Sequence, residues 1–259
     1  MKNLVLYCKT FSRDIELVSR LIDSINQYNV DNIETYISVP GNEIKLFESR
    51  GFKNVTIIED ESVYKTNTTG WCQQQVVKSL FYKLEIAENW VCIDSDAFFI
   101  RPFYITDFMH DKDTPYTVIH EQKELFSWTA INSKLLDFNP KLSFESDRKK
   151  IMQLFGRTGK IYDFGPIPTI WSSKVWQDLE EQYMIPNNIT FEQMIQYCPS
   201  EFTWYGESLL RFKSIELYPA EPLFKVFHFK QQLHEYQQLN IDTDIISQNY
   251  LGIVIQSNF

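Results

Sequence analysis

The sequence predicts an α/β fold built on a mixed, mainly parallel central sheet. Short apolar runs suited to buried strands alternate with amphipathic helical segments through the first hundred residues. The spacers are long enough for crossover helices, which bring successive strands parallel. Polar clusters at Lys9–Arg13, Glu59–Glu61 and Asp94–Asp96 follow three of the strand-like runs. Ligands bind beyond the carboxyl ends of such strands, so the clusters point to a common site.

The elements follow in order. LVLYC (4–8) is a buried-strand run. Segment 13–28 spaces Val18, Leu21, Ile22 and Ile25 as one helical face behind a Ser12 cap. TYISVP (35–40) is a strand ended by Pro40, and EIKLFESRG (43–51) a helix stopped by Gly51. VTIIED (55–60) is the third strand. Residues 74–87 place Val76, Val77, Leu80, Phe81 and Leu84 on one helical face, and WVCID (90–94) is the fourth strand. The second half is less regular. Strands are predicted at 116–121, 215–219 and 223–229. Helices are predicted at 145–155, 173–184 and 191–197, the last behind a Thr190–Gln193 capping box. DFGPIPTIWSS (163–173) reads as a rigid loop before a helix. No repeat or Gly/Ser-rich linker divides the chain. One domain over 1–259 is expected, with a nucleotide-donor half (1–103) and an acceptor half (104–259).

Composition excludes several function classes. With 44% hydrophobic and 23% charged residues, 259 residues suffice for a packed core. The net charge is -9 and no basic stripe occurs, which argues against a nucleic-acid partner. Cys8, Cys72, Cys92 and Cys198 have no metal-ligand spacing, and Cys8 and Cys92 lie in apolar runs. They read as reduced thiols of a cytoplasmic protein. No apolar run approaches a membrane span and the N-terminal run is too short for a secretory signal, so the expectation is a cytoplasmic chain, with room for peripheral contact at the inner face of a membrane.

The strongest chemical signal is NWVCIDSDAFFIRPF (89–103). An apolar strand delivers Asp94 and Asp96 two residues apart, so their carboxylates share a direction while the chain stays extended. Together they suit one hard divalent cation, Mn²⁺ or Mg²⁺, shared with substrate phosphates. Two acids framed by apolar sequence are costly without one.

The strand–DSD–apolar–RPF stretch resembles the DxD motif of GT-A glycosyltransferases. GWCQQQVVKSLFYKL (70–84) and SEFTWYGESL (200–209) are similar to two further motifs of a bacterial family of polysaccharide glycosyltransferases, in the same order. Ser79 departs from that pattern, where the family usually has Leu. The resemblance implies a GT-A-like αβα sandwich that transfers a sugar from a nucleotide-sugar donor to a carbohydrate or glycolipid acceptor, in surface polysaccharide or glycoconjugate synthesis. It implies Asp96 as main metal ligand, Asp94 at the ribose or the metal, and a late histidine, His228, as third ligand. Thr10 and Arg13, after the first strand, are expected at the nucleoside; Glu59 and Asp60 are weaker candidates. Gln74, Gln75, Lys78 and Lys230 are expected at the donor or its phosphates. Glu201 ranks first as the base that takes the acceptor proton and Glu207 second. Trp171 and Tyr205 are expected at the acceptor, and Trp71 is either core or a stacking wall. His110, His120 and His234 read as ordinary. Two other readings stay open: a nucleotidyltransferase, disfavoured because KTFSRD lacks glycine, and a non-catalytic carbohydrate-binding protein, disfavoured by the intact DSD.

Overall fold

The computed structural model describes residues 1–65, 68–135 and 140–256. Strand β1 (Lys2–Lys9) is buried from Leu4 onward because it lies mid-sheet with both faces covered. Helix α1 (Ile15–Tyr28) lays Ile15, Val18, Leu21, Ile22 and Ile25 on one face. Ser12 does not cap it; its N–H and hydroxyl both donate to Glu43, at 2.6 Å each. β2 (Thr35–Val39), α2 (Ile44–Glu48), β3 (Val55–Glu59) and a short α3 (Asp60–Val63) follow. Next, α4 (Gly70–Leu80) starts and ends earlier than the pattern predicts. The apolar face continues instead through a 3₁₀ turn, Phe81–Leu84, in which Phe81 stacks on Tyr7 with centroids 3.9 Å apart. Glu85, in the left-handed region at φ 54°, then turns the chain into β4 (Ala87–Ile93).

These strands form one sheet in the order β3-β2-β1-β4, all parallel. Beyond β4 the chain adds β5 (Ala97–Phe99), β6 (Tyr116–Val118), α5 (Lys123–Ile131), α6 (Pro140–Leu154) and β7 (Thr169–Ser172). β7 completes the sheet antiparallel to β4, with Trp171 opposite Trp90. The sequence reading made 163–173 a loop; four of its residues are this edge strand. The rest is α7 (Ser173–Leu179), α8 (Phe191–Tyr197), α9 (Glu201–Phe212), β8 (Tyr218–Ala220), β9 (Phe224–Phe227), α10 (Lys230–Gln238), α11 (Thr243–Ile246) and β10 (Gly252–Ile255). α8 carries the predicted capping box, Gln193 N–H to Thr190 Oγ1 at 3.2 Å and the reciprocal bond at 2.9 Å. β5, β10 and β9 form a three-stranded sheet, and β6 pairs with β8.

The architecture is an αβα sandwich on a mainly parallel, mixed sheet. Leu4, Leu6, Cys8, Val91 and Ile93 face one core with α1. Val5, Tyr7, Trp90, Cys92 and Trp171 face the other with α4, α7 and α9. The two-residue alternation of a strand assigns these sides. Among the described residues no helix is long and apolar enough to cross a membrane.

Gly206, on α9, permits the second core to close. A Cβ there would lie 1.9–2.3 Å from ring atoms of Phe164, which is 1% exposed and has no solvent to retreat into. Gly206→Ala should gain about 1 kcal/mol of helix propensity but lose about 1–3 kcal/mol or more to overpacking. Overpacking should win, and a lower urea midpoint would show it. An unchanged or higher midpoint would mean the Phe164 ring yields freely.

Candidate functional site

A cleft of about 920 Å³ opens at the carboxyl edge of the parallel strands. β2 and β3 lie to one side of β1, whereas β4 lies to the other, so the strand order reverses between β1 and β4. In open α/β sheets this is where ligands bind. Lys9, Phe11, Arg13 and Asp14, after β1, and Asp94, Ser95 and Asp96, after the neighbouring β4, line the cleft. Helix α4 contributes Trp71 and Gln74 from its first turns and Lys78 from its last.

The DSD loop is not extended. Asp94 C=O accepts from Ala97 N–H at 3.2 Å, a turn that swings β5 out of the main sheet. Both acids nevertheless line the cleft. Asp96 is 8% exposed, while the Asp94 side chain is 37% exposed. Asp14 joins them by accepting a hydrogen bond from Ser95 Oγ at 3.2 Å, and burial raises its carboxyl above the ordinary value.

Behind Asp94 stands a buried charge cluster. Lys78 Nζ lies 2.5 Å from Asp94 Oδ1 and 3.3 Å from Glu201 Oε1. Glu201 begins α9, and its N–H donates to Gln75 Oε1 at 3.3 Å. Burial raises the Glu201 carboxyl, an effect that Lys78 only partly offsets. Burial also opposes charge on Lys78, but two carboxylates outweigh it and hold the ammonium well above its usual value. The spacing of Gln74 and Lys78 along α4 foretold a shared face; the contact between Lys78 and Glu201, 123 residues apart, was beyond any local pattern.

Arg13, Gln74, Lys78, Asp94 and Asp96 therefore come together. The other sequence candidates do not join them. Thr10 is 1% exposed, with its N–H bonded to Ser38 C=O, so it ends the β1–β2 ladder rather than facing a nucleoside. Gln75 is fully buried under Glu201. Glu201 is 4% exposed behind Lys78, the position of a supporting carboxylate and not of an acceptor base. Glu207 is 1% exposed and forked by Arg157 at 2.5 and 2.6 Å, a bidentate pair that consumes both oxygens. Trp171 is fully buried, with Trp176 5.2 Å away edge-on, and the Tyr205 hydroxyl accepts from Ser172 N–H at 2.9 Å. Both are core residues, not an acceptor wall. Lys230 is exposed at the start of α10, away from the cleft lining.

His228 faces a different cavity, so the predicted three-ligand set is not assembled. Among the described residues no three His, Cys, Asp or Glu side chains converge as a metal group. The reason is topological: β10 lies between β5, which follows Asp96, and β9, which precedes His228.

Sequence reasoning missed an ion pair and a cavity. Lys9 and Asp60, 2% and 1% exposed at their side chains, form a 2.8 Å ion pair beside the cleft floor. Trp71 stands 63% exposed at the cleft rim, which resolves its two readings in favour of an accessible wall. The missed second cavity gathers His120, Gln122 and Tyr162 around His228. Its one sequence signal was polar residues after the 116–121 strand.

No curated protein matches the chain. A family model matches residues 3–244, nearly the whole length, and on that match the chain belongs to a family of unknown function, DUF6492.

Proposed function

We propose that the protein is a glycosyltransferase that moves a sugar from a nucleotide-sugar donor to a carbohydrate acceptor, with Mn²⁺ or Mg²⁺ as cofactor. The observation that carries this reading is the placement of Asp94 and Asp96 in one cleft where the strand order reverses. The resemblance of the DSD, GWCQQQVVK and SEFTWYG stretches to GT-A enzymes agrees with it.

The donor set fits a hard cation held in part by substrate. Mg²⁺-type sites commonly use one or two carboxylates, with phosphates and water completing the shell. Asp94 and Asp96 would supply the protein ligands, and Asp94 keeps an open face. When bound, such an ion neutralises charge on a diphosphate leaving group. The chain's own residues do the positioning. Lys78 fixes Asp94 through a 2.5 Å contact, and Glu201 fixes Lys78 from behind. Arg13, after β1, and Gln74, on α4, offer donors to phosphate or ribose from the cleft lining. Trp71 offers a flat apolar face to base or sugar. Under this reading the reaction runs in the cytoplasm, at or near the inner membrane face, on a surface-glycan precursor.

The test is thermal stability with UDP, GDP and their sugar derivatives, with and without Mn²⁺. A ligand at one hundred times its Kd adds about 2.7 kcal/mol, roughly 5–11 °C for a chain of this size. We expect that shift only with the divalent ion, and expect Asp96→Asn to lose its metal-dependent part. An equal shift in EDTA, or in Asp96→Asn, would remove the metal from the proposal. No shift with any nucleotide would remove the donor.

A further inference from the structure

The second cavity, about 640 Å³, has the chemistry of a saccharide site. Among the described residues that line it, Lys123 is the one Lys or Arg, 80% exposed at its side chain and 3.4 Å from Glu121; Arg148 and Lys225 lie outside the lining and pair with Asp163, at 2.7 Å, and with Glu124. Burial lowers His228 to about 4, so its ring is uncharged near neutral pH. A phosphate would therefore meet one exposed lysine, itself beside Glu121, while three glutamates, Glu121, Glu124 and Glu221, line the space.

What the cavity does present is a mixture of neutral donors and acceptors. His120 Nε2 sits 2.5 Å from Gly165 C=O. A carbonyl only accepts, so Nε2 carries the proton of that contact, and Nδ1 is the ring nitrogen left for a ligand. Gln232 Oε1 takes the N–H groups of His228 and Phe229, at 2.7 and 3.1 Å, which leaves its amide NH₂ to donate. Tyr162 and Tyr250 add hydroxyls on apolar rings. Sugar hydroxyls, which both donate and accept, match this set.

The wall is pre-organised. Buried Gln122 donates to Asp163, which Arg148 and His120 flank. Burial opposes ionisation of Asp163, but Arg148, His120 and Gln122 prevail and hold its carboxyl below the ordinary range. Gln122 also holds a left-handed backbone at φ 53°, a conformation that residues other than glycine keep only where their surroundings dictate it.

The position is equally specific. Ile255 N–H donates to Asp96 C=O at 3.2 Å, and Gln256 N–H to Phe227 C=O at 3.3 Å. Gln256 lines the carboxylate cleft, and His228, next after Phe227, lines this cavity. The two spaces thus flank the end of one strand, β10.

We propose that this cavity binds a neutral saccharide, and, resting on the transferase reading above, that the saccharide is the acceptor. The probe is a panel of glucose, galactose, N-acetylglucosamine, maltose, cellobiose and lactose, followed by saturation-transfer NMR on the full chain without nucleotide or metal. At least one sugar should bind. His120→Ala and Tyr162→Ala should weaken it by about tenfold, the loss of one or two net hydrogen bonds. Asp96→Asn, in the other cleft, should leave it unchanged. Tyr162 is partly exposed, so its variant keeps the test alive should His120→Ala unfold. Absence of binding by the whole panel, undiminished binding by folded Tyr162→Ala, or displacement of the sugar by inorganic pyrophosphate would each overturn the proposal. Because the panel holds no nucleotide, failure of the donor reading leaves this result intact; sugar binding alone would then describe a carbohydrate-binding protein.

Discussion

Replacing Lys78 with Met is expected to destabilise the protein by about 3–5 kcal/mol, the usual consequence of stripping one partner from a buried ion pair. The side chains of Lys78 and Glu201 are 6% and 5% exposed, so solvent screens little of the interaction. Without the ammonium, Glu201 faces burial alone and its carboxyl, already raised, rises further. The pH dependence then has a definite sign. A carboxyl whose folded pKa exceeds its unfolded value of about 4.3 binds its proton more tightly in the native state. Stability therefore falls as pH rises from the unfolded value through the folded one. The loss relative to wild type should be distinctly larger at pH 8 than at pH 5, by urea denaturation of both proteins at each pH. Wild type is the reference at each pH because His228, lowered by burial to about 4, contributes in the opposite sense over part of the same range. Adding Glu201→Leu should recover most of the loss, since removing both charges spares the desolvation. Asp94 is partly solvated and tolerates the change better. A loss under about 1 kcal/mol, or no difference between the two pH values, would show that the cluster is hydrated and does not hold Asp94 in place.

Trp171→Ala is the second large effect, about 3–5 kcal/mol for emptying a packed indole site. Trp171 sits between Trp90, Trp176 and Tyr205, with ring centroids 5.2–6.1 Å away. Trp171→Phe should be much milder. It keeps a ring in the site and removes an indole N–H that has no hydrogen-bond partner among the described residues. Donor binding by either folded variant should match wild type. If Trp171→Ala instead kept its urea midpoint and only raised the Michaelis constant for a sugar acceptor, the residue would be a binding platform and the core assignment would be wrong.

The difference between Trp171 and Trp71 shows what a linear reading can and cannot resolve. Both are tryptophans beside glycine- or proline-bearing polar stretches. One is fully buried on an edge strand, the other exposed at a cleft rim. Side-chain chemistry is identical; the cover over Trp171 comes from α7, directly after it, and from α9, further along the chain. The same limit applies to Glu201 and Glu207. Both stand in one motif on α9, yet one faces Lys78 and the other Arg157.

Local pattern was enough to set the strand–helix alternation of the first half, the buried runs of β1 from Leu4 and of β4 from Asn89, the α8 cap, and the arrival of Asp94 and Asp96 at a strand end. Each is set by interactions within a few residues: period, turn chemistry and the burial of an apolar run. Long-range packing set which polar groups meet. Lys78 meets Glu201 because α9 packs on α4, and Arg148 on α6 meets Asp163 ahead of β7. The separation of His228 from the DSD loop follows from strand order, with β10 entering between β5 and β9. The energy of a charged or polar side chain is governed by its partners and its distance from water. Those partners lie up to 123 residues away, so no local pattern encodes them.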